Sequence, residues 1–450
     1  MLSGKWQGTM ALTEPHAGSS LHYITSSAEP TENGYYKIKG QKVYISAGNH
    51  DQVENCIHLL LAKIKGAPAG TKGISLFVVP QKRIENGQLI DNDVKSIGLY
   101  HKMGQKATPA THLGMGERDD CRGWLVGEPH KGLTYMFQMM NEARLGTGIA
   151  GASIASAAYY AALEYANERT QGQPLGLKGQ DPNMPQTLII NHPDVKRMLL
   201  FQKAIVEGSL SLILQCAKYA DLIHTTEGAE KEKYQLLLDF LTPVAKTYPT
   251  EFGTQSVSAG VQCFGGGGYC NDFPVAQMYR DIRITTIYEG TTGIQSLALL
   301  GRNITMQNGK AAILYFQEVG KTIHEAKTYT ELNKYASILE DELKKLQKVT
   351  QHLVGYAIKG ETELFLADAT LYMEMFGIIA VAWQWLAQGV TAKQALLTGK
   401  AQGNDVEFYE SKLHTMKFFF HYEIPKTQGL STRLLDTETF TVAIREEVLM

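Results

Sequence analysis

Three short segments combine glycine with residues that could bind a ligand or move a proton. The first is Met10–Ser20 (MALTEPHAGSS), where Thr13 and Ser19 offer hydroxyl groups and Gly18 lets a ligand approach the backbone. A polar loop of this kind can hold a phosphate or the edge of a ring through N–H and hydroxyl groups. An ordinary loop between strands has the same composition, so both interpretations stay open at this point.

The second segment, Gln262–Tyr269 (QCFGGGGY), has four consecutive glycines at the end of a predicted helix. A helix C-cap needs only one glycine, and further glycines cost backbone entropy. The excess indicates that something large approaches the backbone, although a flexible turn would also account for it. The spacing differs from the GxGxxG pattern of dinucleotide-binding domains.

The third segment, Tyr279–Gln295, places Glu289 among apolar and neutral residues just before a predicted helix start. A carboxylate in a desolvated pocket has a raised pKa and is a stronger general base. Thr292 and Gln295 have the spacing of a capping box, so Glu289 could instead stabilise the helix N-terminus through its macrodipole. Spacing alone does not decide between these roles.

The elements that must position these segments change along the chain. Residues 1–130 contain short alternating apolar stretches, and Asn33-Gly34 is a hairpin signal just before Tyr36. This part predicts a small antiparallel barrel or sandwich. Long helices rich in small residues are predicted next, over Leu133–Arg169, His192–Ile223 and Glu230–Phe264. Their short connections predict an antiparallel bundle over residues 131–308.

Residues 309–450 are also predicted to be helical, but they differ in character. Apolar residues near seven-residue spacing predict an amphipathic helix over Leu332–Leu353, and Glu363–Gln388 is apolar enough to be buried on most sides. The fold class is therefore α+β multidomain, with a β-barrel, a helical bundle and a helical C-terminal extension.

Composition argues against several classes of protein. The net charge is −2, from 43 basic and 45 acidic residues that are interspersed, so no nucleic-acid partner is expected. No run of about 18 uncharged apolar residues occurs, which predicts no membrane span. The five cysteines lack paired spacing, so we expect reduced thiols in a cytoplasmic protein and no metal site.

Three stretches of the chain, two of them within the segments described above, resemble marker stretches of acyl-CoA dehydrogenases in the same order. The stretches that carry the likeness are Leu12–Ser19 (LTEPHAGS), Gly40–Ser46 (GQKVYIS) and Ile287–Thr291 (IYEGT). The resemblance covers about residues 4 to 305 and implies a β-barrel middle domain followed by a four-helix bundle. It also implies FAD as cofactor, desaturation of an acyl-CoA to a trans-2-enoyl-CoA in fatty acid β-oxidation, and an electron-transfer flavoprotein as acceptor.

Residue roles follow from the same resemblance. Glu289 would be the catalytic base that takes the α-proton while the β-hydrogen leaves as hydride to the flavin. FAD would contact Leu12, Thr13, Gly18, Ser19, Tyr44, Ile45, Ser46, Thr291 and Gly293. The FAD of a neighbouring subunit would contact Arg169, Gln171, Gln262, Gly265 and Gly266, which implies a homodimer or homotetramer. The acyl-CoA would contact Ser19, Asn141, Arg144, Tyr288 and Gly290.

The sequence departs from the family pattern at several positions. Many members have Trp, Thr and Asp where this chain has Tyr44, Ser46 and Asn141. Some branches place the base on the helix that here carries Asn141, which makes Glu142, one residue from that place, a rival to Glu289.

The ends of the chain also differ from many members. The family normally begins with an all-helical domain, whereas this chain starts at the barrel; a fragment, a misassigned start and half of a split pair are the open expectations. The tail after about residue 308 resembles the extension of a larger bacterial branch that includes broad-range and methylthio-propanoyl-CoA dehydrogenases. An acyl-CoA oxidase-like flavoenzyme and a non-catalytic truncated subunit are the alternatives to a dehydrogenase.

Overall fold

The computed structural model describes residues 1–174 and 183–450. Its internal contacts divide the chain into two compact units, Met1–Glu142 and Ala143–Met450. The sequence suggested a first boundary near residue 130, which lies just before the helix that runs across this division.

The first unit is built from short strands, as the alternating apolar residues predicted. In chain order the strands are Trp6–Ala11 (β1), Ser27–Pro30 (β2), Tyr36–Ser46 (β3), Asn55–Ile64 (β4), Ile74–Pro80 (β5), Lys82–Glu85 (β6), Gln88–Asp91 (β7), Val94–Leu99 (β8), Ala110–Met115 (β9) and Arg122–Leu125 (β10). Strands β4, β5, β10, β3 and β2 close into a ring because β2 pairs with both β3 and β4. The predicted barrel is therefore confirmed.

Most strand pairs are antiparallel, as expected, but β1 and β2 both run parallel to β4. The hairpin predicted at Asn33-Gly34 joins β2 to β3, and Gly34 supplies the positive φ of 77° that this turn requires. Inward-facing apolar side chains fill the barrel, among them Ile38, Leu60 and Phe77. The barrel thus holds the ends of β1 and β3 at fixed positions.

Helices dominate the remainder of the chain. They are Gly132–Glu168 (α1), which runs from the first unit into the second, Pro193–Thr225 (α2), Gly228–Phe264 (α3), Val275–Ile282 (α4), Thr292–Ala298 (α5), Met306–Ala326 (α6), Asn333–Ile358 (α7), Thr362–Leu366 (α8), Ala369–Leu397 (α9), Asn404–Tyr422 (α10), Lys426–Leu434 (α11) and Phe440–Ala443 (α12). The bounds of α1, α2 and α3 lie within two residues of those predicted. Helix α5 continues into a π-helical turn over Leu299–Asn303.

Helix α3 contains two prolines without breaking. Pro243 cannot donate to the carbonyl of Asp239, and the Asn303 side-chain amide donates to that oxygen instead, at 2.8 Å. Pro249 likewise leaves the carbonyl of Ala245 without its helical donor. A Cβ at Gly148 on α1 would lie 2.2 Å from this oxygen, so glycine is needed there for α1 to approach α3.

The helices after residue 308 share one hydrophobic core with α2 and α3. The indole N–H of Trp385 on α9 donates to the carbonyl of Ala204 on α2 at 3.0 Å, and a Cβ at Gly208 would lie 2.5 Å from Val381. The division proposed between residues 308 and 309 falls inside a left-handed turn over Gln307, Asn308 and Gly309. Since the helices on both sides pack together, that division stays a prediction.

Two stretches, Pro193–Thr225 and Thr362–Leu397, are long and apolar enough to cross a membrane. More than half of the most apolar part of each, 56% and 61%, is buried inside the protein. Buried core helices have the same length and composition, so the absence of a membrane span stays a prediction.

Candidate active site

In the first unit, the loop after β1 is tied directly to β3. The Val43 N–H donates to the carbonyl of Thr13 at 2.9 Å, and the Lys42 ammonium donates to the carbonyl of Leu12 at 2.9 Å. Lys42 also forms a buried ion pair with Glu14 at 2.8 Å. The structure therefore brings together two of the segments that the sequence singled out, Leu12–Ser19 and the end of β3.

The surfaces of these two segments suit a planar, phosphorylated ligand. Gly18 and Ser19 are exposed, and no atom of residues 1–174 or 183–450 lies within 4 Å of the place that a Cβ on Gly18 would occupy. A register shift in β3 accompanies the positive φ of 60° at Tyr44. This residue is 63% exposed, and the centroid of its ring lies 4.5 Å from that of Tyr100.

Tyr44 and Ser46 point outward, whereas the side chain of Ile45 is buried in the barrel. Of these three residues, all of which the resemblance places in contact with FAD, Ile45 can therefore offer only its backbone. This follows from the alternation of side chains along a strand.

In the second unit, the residues proposed to serve a neighbour's cofactor meet at one end of the bundle. Arg169 and Gln171 follow the end of α1, and Gln262 lies in the last turn of α3. The two helix ends are joined by the rings of Tyr165 and Phe264, which stack with centroids 4.3 Å apart. Arg169, Gln171 and Gln262 are all exposed.

The run of four glycines has more than one structural cause. Gly265 is the C-cap of α3 with a φ of 61°, as expected for a glycine cap. A Cβ at Gly267 would lie 3.0 Å from the ring of Phe273, and one at Gly268 would lie 2.5 Å from the carbonyl of Val261. Of the four, only Gly266 has neither a positive φ nor a close neighbour in the described part of the chain, so backbone conformation and packing together explain the other three.

Glu289 lies in a tight turn just before α5. Its φ is 55°, which is rare for a residue other than glycine, and Gly290 follows with a φ of 90°. The buried Gln295 amide holds the turn by donating to the carbonyl of Glu289 at 3.0 Å. The turn therefore presents the Glu289 side chain in one direction, at the cost of local backbone strain.

The helix cap differs from the one predicted. Thr291, rather than Thr292, is the N-cap, and its hydroxyl accepts a hydrogen bond from the Ile294 N–H at 3.2 Å. The Thr292 hydroxyl donates to the Glu251 carboxylate instead, and Gln295 bonds to Glu289. The capping-box interpretation was wrong because two side chains with the right spacing have other partners, which spacing cannot show.

Charged groups surround the Glu289 carboxylate within the second unit. Burial raises its pKa, and the positive charges of Arg144 on α1 and Lys246 on α3 partly oppose this rise. Lys246 is completely buried, and its ammonium has no hydrogen-bond partner among the described residues. Burial lowers the pKa of Lys246 to about 8, although Glu251 and Glu289 act in the opposite direction.

On α1, Arg144 is buried while Glu142, two residues earlier, is exposed. An exposed carboxylate lacks the desolvation that strengthens a base, so the structure favours Glu289 over Glu142. Asn141, Tyr288, Gly290 and Gly293 are partly buried, as are Leu12 and Thr13. Their proposed contacts with substrate or cofactor stay predictions.

The sequence reasoning missed Lys246 and Glu251, and it gave Gln295 a capping role instead of its bond to the Glu289 carbonyl. The sequence did contain a signal for Lys246. Leu236–Ala245 is mostly apolar, with Asp239 as its one charged residue, and Lys246 follows it directly. A charge there must be either paired or functional. Residues 1–174 and 183–450 contain no group of three or more His, Cys, Asp or Glu that could hold a metal ion.

Comparison with known proteins shows which family models and relatives this chain matches. Residues 130–304 match the family model "Acyl-CoA dehydrogenase, C-terminal domain", and residues 315–445 match "Acetyl-CoA dehydrogenase C-terminal like". The chain is 37% identical to 3-methylmercaptopropionyl-CoA dehydrogenase of Ruegeria pomeroyi, over 97% of this chain and 73% of that protein. It is 34% identical to a butyryl-CoA dehydrogenase of Syntrophomonas wolfei, over 100% and 74%.

A solved structure of an acyl-CoA dehydrogenase from Bacillus anthracis, in complex with FAD, has the same fold. It superposes with a TM-score of 0.72 at 19% identity, over 98% of this chain and 70% of that one. The chain belongs to the acyl-CoA dehydrogenase family. This confirms the predicted family and the predicted class of enzyme, an FAD-dependent oxidoreductase.

Proposed function

We propose that this protein catalyses the FAD-dependent α,β-dehydrogenation of an acyl-CoA, with Glu289 as the base. The observation that carries the proposal is the half-buried Glu289 carboxylate, which a strained turn presents beside two buried cations. A general base should have a pKa near the working pH, and burial raises the pKa of Glu289 in that direction.

The functional groups in the loop after β1 and in β3 are suited to binding FAD. The exposed backbone at Gly18 and the hydroxyls of Thr13 and Ser19 are donors suited to phosphate oxygens, and the exposed ring of Tyr44 suits stacking on a planar ring system. When bound, FAD supplies the redox chemistry of the reaction, while the protein provides alignment and electrostatics.

Glu289 would contribute through its backbone as well as its carboxylate. The described residues contain no hydrogen-bond acceptor for the Glu289 N–H. A free donor beside the base could polarise the thioester oxygen as negative charge develops there. The carboxylate would then remove the proton from the adjacent α-carbon, and Gln295 would keep both groups in place through its bond to the Glu289 carbonyl.

The test compares two carboxyl variants. Glu289→Gln should retain bound FAD but slow its anaerobic reduction by substrate about 10²–10⁴-fold, because the amide cannot accept a proton. Glu142→Gln is the matched control and should react like wild type. If the effects of the two variants were reversed, Glu142 would be the base.

Butyryl-CoA and 3-methylmercaptopropionyl-CoA are the first substrates to use, because the two relatives compared above are named for them. Reduction by acyl-CoA followed by slow reoxidation in air is expected of a dehydrogenase, which would pass electrons to an electron-transfer flavoprotein. Rapid reoxidation would instead indicate an oxidase, and absence of a flavin spectrum a non-catalytic subunit.

A homodimer or a dimer of dimers is part of the proposal. It is supported by the exposed Arg169, Gln171, Gln262 and Gly266, which meet at one end of the bundle and whose family counterparts serve a neighbouring subunit. Closed symmetry would make these contacts reciprocal. Solution scattering should give the mass of a dimer or tetramer, and a monomer with full FAD content would contradict this.

A further inference from the structure

Lys246 has surroundings that a structural lysine would not have. The residue is completely buried in α3, yet among the described residues its ammonium has no hydrogen-bond partner. Buried charges are normally paired, because leaving water is costly for them. Retaining an unpaired ammonium at this place therefore needs a reason other than stability.

The ammonium belongs to a cluster of charges contributed by several elements. Its electrostatic partners are Glu251 on the same helix, Glu289 in the turn before α5, and Arg144 on α1. Around this centre, Arg302 of the π turn acts on Arg144, and Glu251 acts on Glu374 of α9. Lys426 of α11, in turn, acts on Glu374.

The two carboxylates of the cluster differ in how they are bonded. Glu251 accepts a hydrogen bond from the Thr292 hydroxyl, which ties it to the first turn of α5. The Glu289 carboxylate has no such side-chain donor among the described residues. Among these residues its charge is therefore balanced through space, first by Arg144 and then by Lys246.

The position of Lys246 is fixed by backbone packing. Pro249 frees the carbonyl of Ala245, and Gly148 of α1 approaches that oxygen so closely that a Cβ would lie 2.2 Å from it. The same Cβ would lie 3.5 Å from the Cα of Lys246. The lysine is thus anchored at the contact between the helix that carries Arg144 and the helix that carries Glu251.

We infer that Lys246 is a positioning residue for the reaction, a role that depends on the proposed function of Glu289 as the base. Together with the guanidinium of Arg144, which has the larger effect, its buried ammonium keeps the Glu289 carboxylate ionised, and so able to accept the substrate's proton, at neutral pH. Burial pushes Glu289 towards its protonated, inactive form, and Lys246 limits this effect.

The first test is the pH profile of flavin reduction by butyryl-CoA, measured anaerobically with Lys246→Met. Loss of the positive charge should move the acid limb of the profile to higher pH by about 1 unit, the low end of what a nearby opposite charge contributes. Below this limb the variant should be about 10-fold slower, and at high pH it should approach the wild-type rate. A purely structural role would lower the rate equally at every pH and would overturn the inference.

Lys412→Met is the matched control. Lys412 is a mostly buried lysine of the same unit, but it is paired with Glu207 at 2.9 Å rather than acting on Glu289. Its replacement should leave the acid limb unchanged. An equal shift in this control would show that the loss of any positive charge has the same effect, and would also overturn the inference.

The second test needs neither turnover nor a folded variant of Lys246. The measurement is an NMR titration of protein that carries ¹³C-labelled glutamate carboxyl groups. The signal of Glu289 is the one that Glu289→Gln removes. Besides its own titration step, this signal should show a second, small step near pH 8, where Lys246 loses its proton. Absence of that step would overturn the coupling. Near wild-type activity of Glu289→Gln would instead reject the proposed function, and the titration would still report whether the two groups interact.

Discussion

Each unit contains a completely buried lysine, and the two have opposite surroundings. In the barrel, Lys42 donates to Glu14 at 2.8 Å and to the carbonyl of Leu12 at 2.9 Å. Glu14 also accepts from the Thr25 N–H at 2.6 Å and from the Ser26 N–H at 3.1 Å. In the helical unit, Lys246 has no such partner among the described residues.

The difference separates two uses of a buried charge. A pair whose donors and acceptors are all satisfied holds one geometry, and here it fixes the loop Leu12–Ser19 against β3. An unpaired charge fixes little, but its field acts on every titrating group nearby because the surroundings screen it poorly. Burial alone would raise the pKa of Glu14, yet the Lys42 charge and the hydrogen bonds to the carboxylate lower it to about 2, so this pair stays ionised at neutral pH.

The largest effect is expected when the satisfied pair is broken. Lys42→Met should lower the free energy of unfolding by about 3–5 kcal/mol, because Glu14 would remain as a buried charge without its counter-ion. Denaturant unfolding followed by circular dichroism would measure this. Lys65→Met is the control, since Lys65 pairs with Glu29 at 2.9 Å on the exposed surface, and it should cost at most about 1 kcal/mol. Equal losses in both variants would remove the distinction drawn for Lys42.

A smaller effect is expected at the helix contact that anchors Lys246. Gly148→Ala should destabilise the protein by about 1–3 kcal/mol, because the new methyl group would overlap the carbonyl of Ala245. At Gly146, on the same helix, a Cβ would have no neighbour within 4 Å in the part of the chain that the structure describes, so Gly146→Ala should be neutral or stabilise by up to about 1 kcal/mol. The two melting temperatures should move in opposite directions. A similar change in both would show that α1 does not need a glycine at the contact.

The smallest change in the free energy of unfolding is expected at Lys246, and there the sign of the change is the informative result. Lys246→Met should leave the free energy of unfolding at pH 7 unchanged or raise it by roughly 1 kcal/mol. The reason is that folding of the variant does not move an unpaired ammonium group out of water. The contrast with Lys42→Met would then be one of sign. A loss as large as that of Lys42→Met would mean that Lys246 is paired in solution.

The pH dependence of stability sharpens the same point. The pKa of Lys246 is about 8 in the folded protein and 10.5 ordinarily, so between these values the unfolded chain binds a proton that the folded protein has released. The contribution of this group to stability therefore rises with pH through that window. Burial also lowers the pKa of Lys42 to about 8, so Lys246→Met should keep that part of the rise. Unfolding titrations from pH 7 to pH 10.5 should therefore show a steeper rise in wild type than in Lys246→Met. Parallel curves would exclude a depressed pKa for Lys246.

The sequence alone determined the family, the barrel and the long helices. Local signals sufficed for these, because the marker stretches are contiguous and the bounds of α1, α2 and α3 follow from composition and periodicity over many residues. The hairpin at Asn33-Gly34 and the glycine cap at Gly265 were predictable for the same reason, since each depends on the conformation of one or two residues.

Only the tertiary structure decided how the charged groups meet. Lys246 and Glu289 lie far apart in the sequence, and no periodicity relates them. The cap at Thr291 instead of Thr292 was likewise set by partners elsewhere, because Glu251 attracts one hydroxyl and the Glu289 carbonyl attracts the Gln295 amide. Sharing of one core by α2, α3 and the helices after residue 308 also depends on contacts between distant residues, such as Trp385 with Ala204. Propensity and spacing act over a few residues, whereas burial and electrostatics act on whatever the fold brings together.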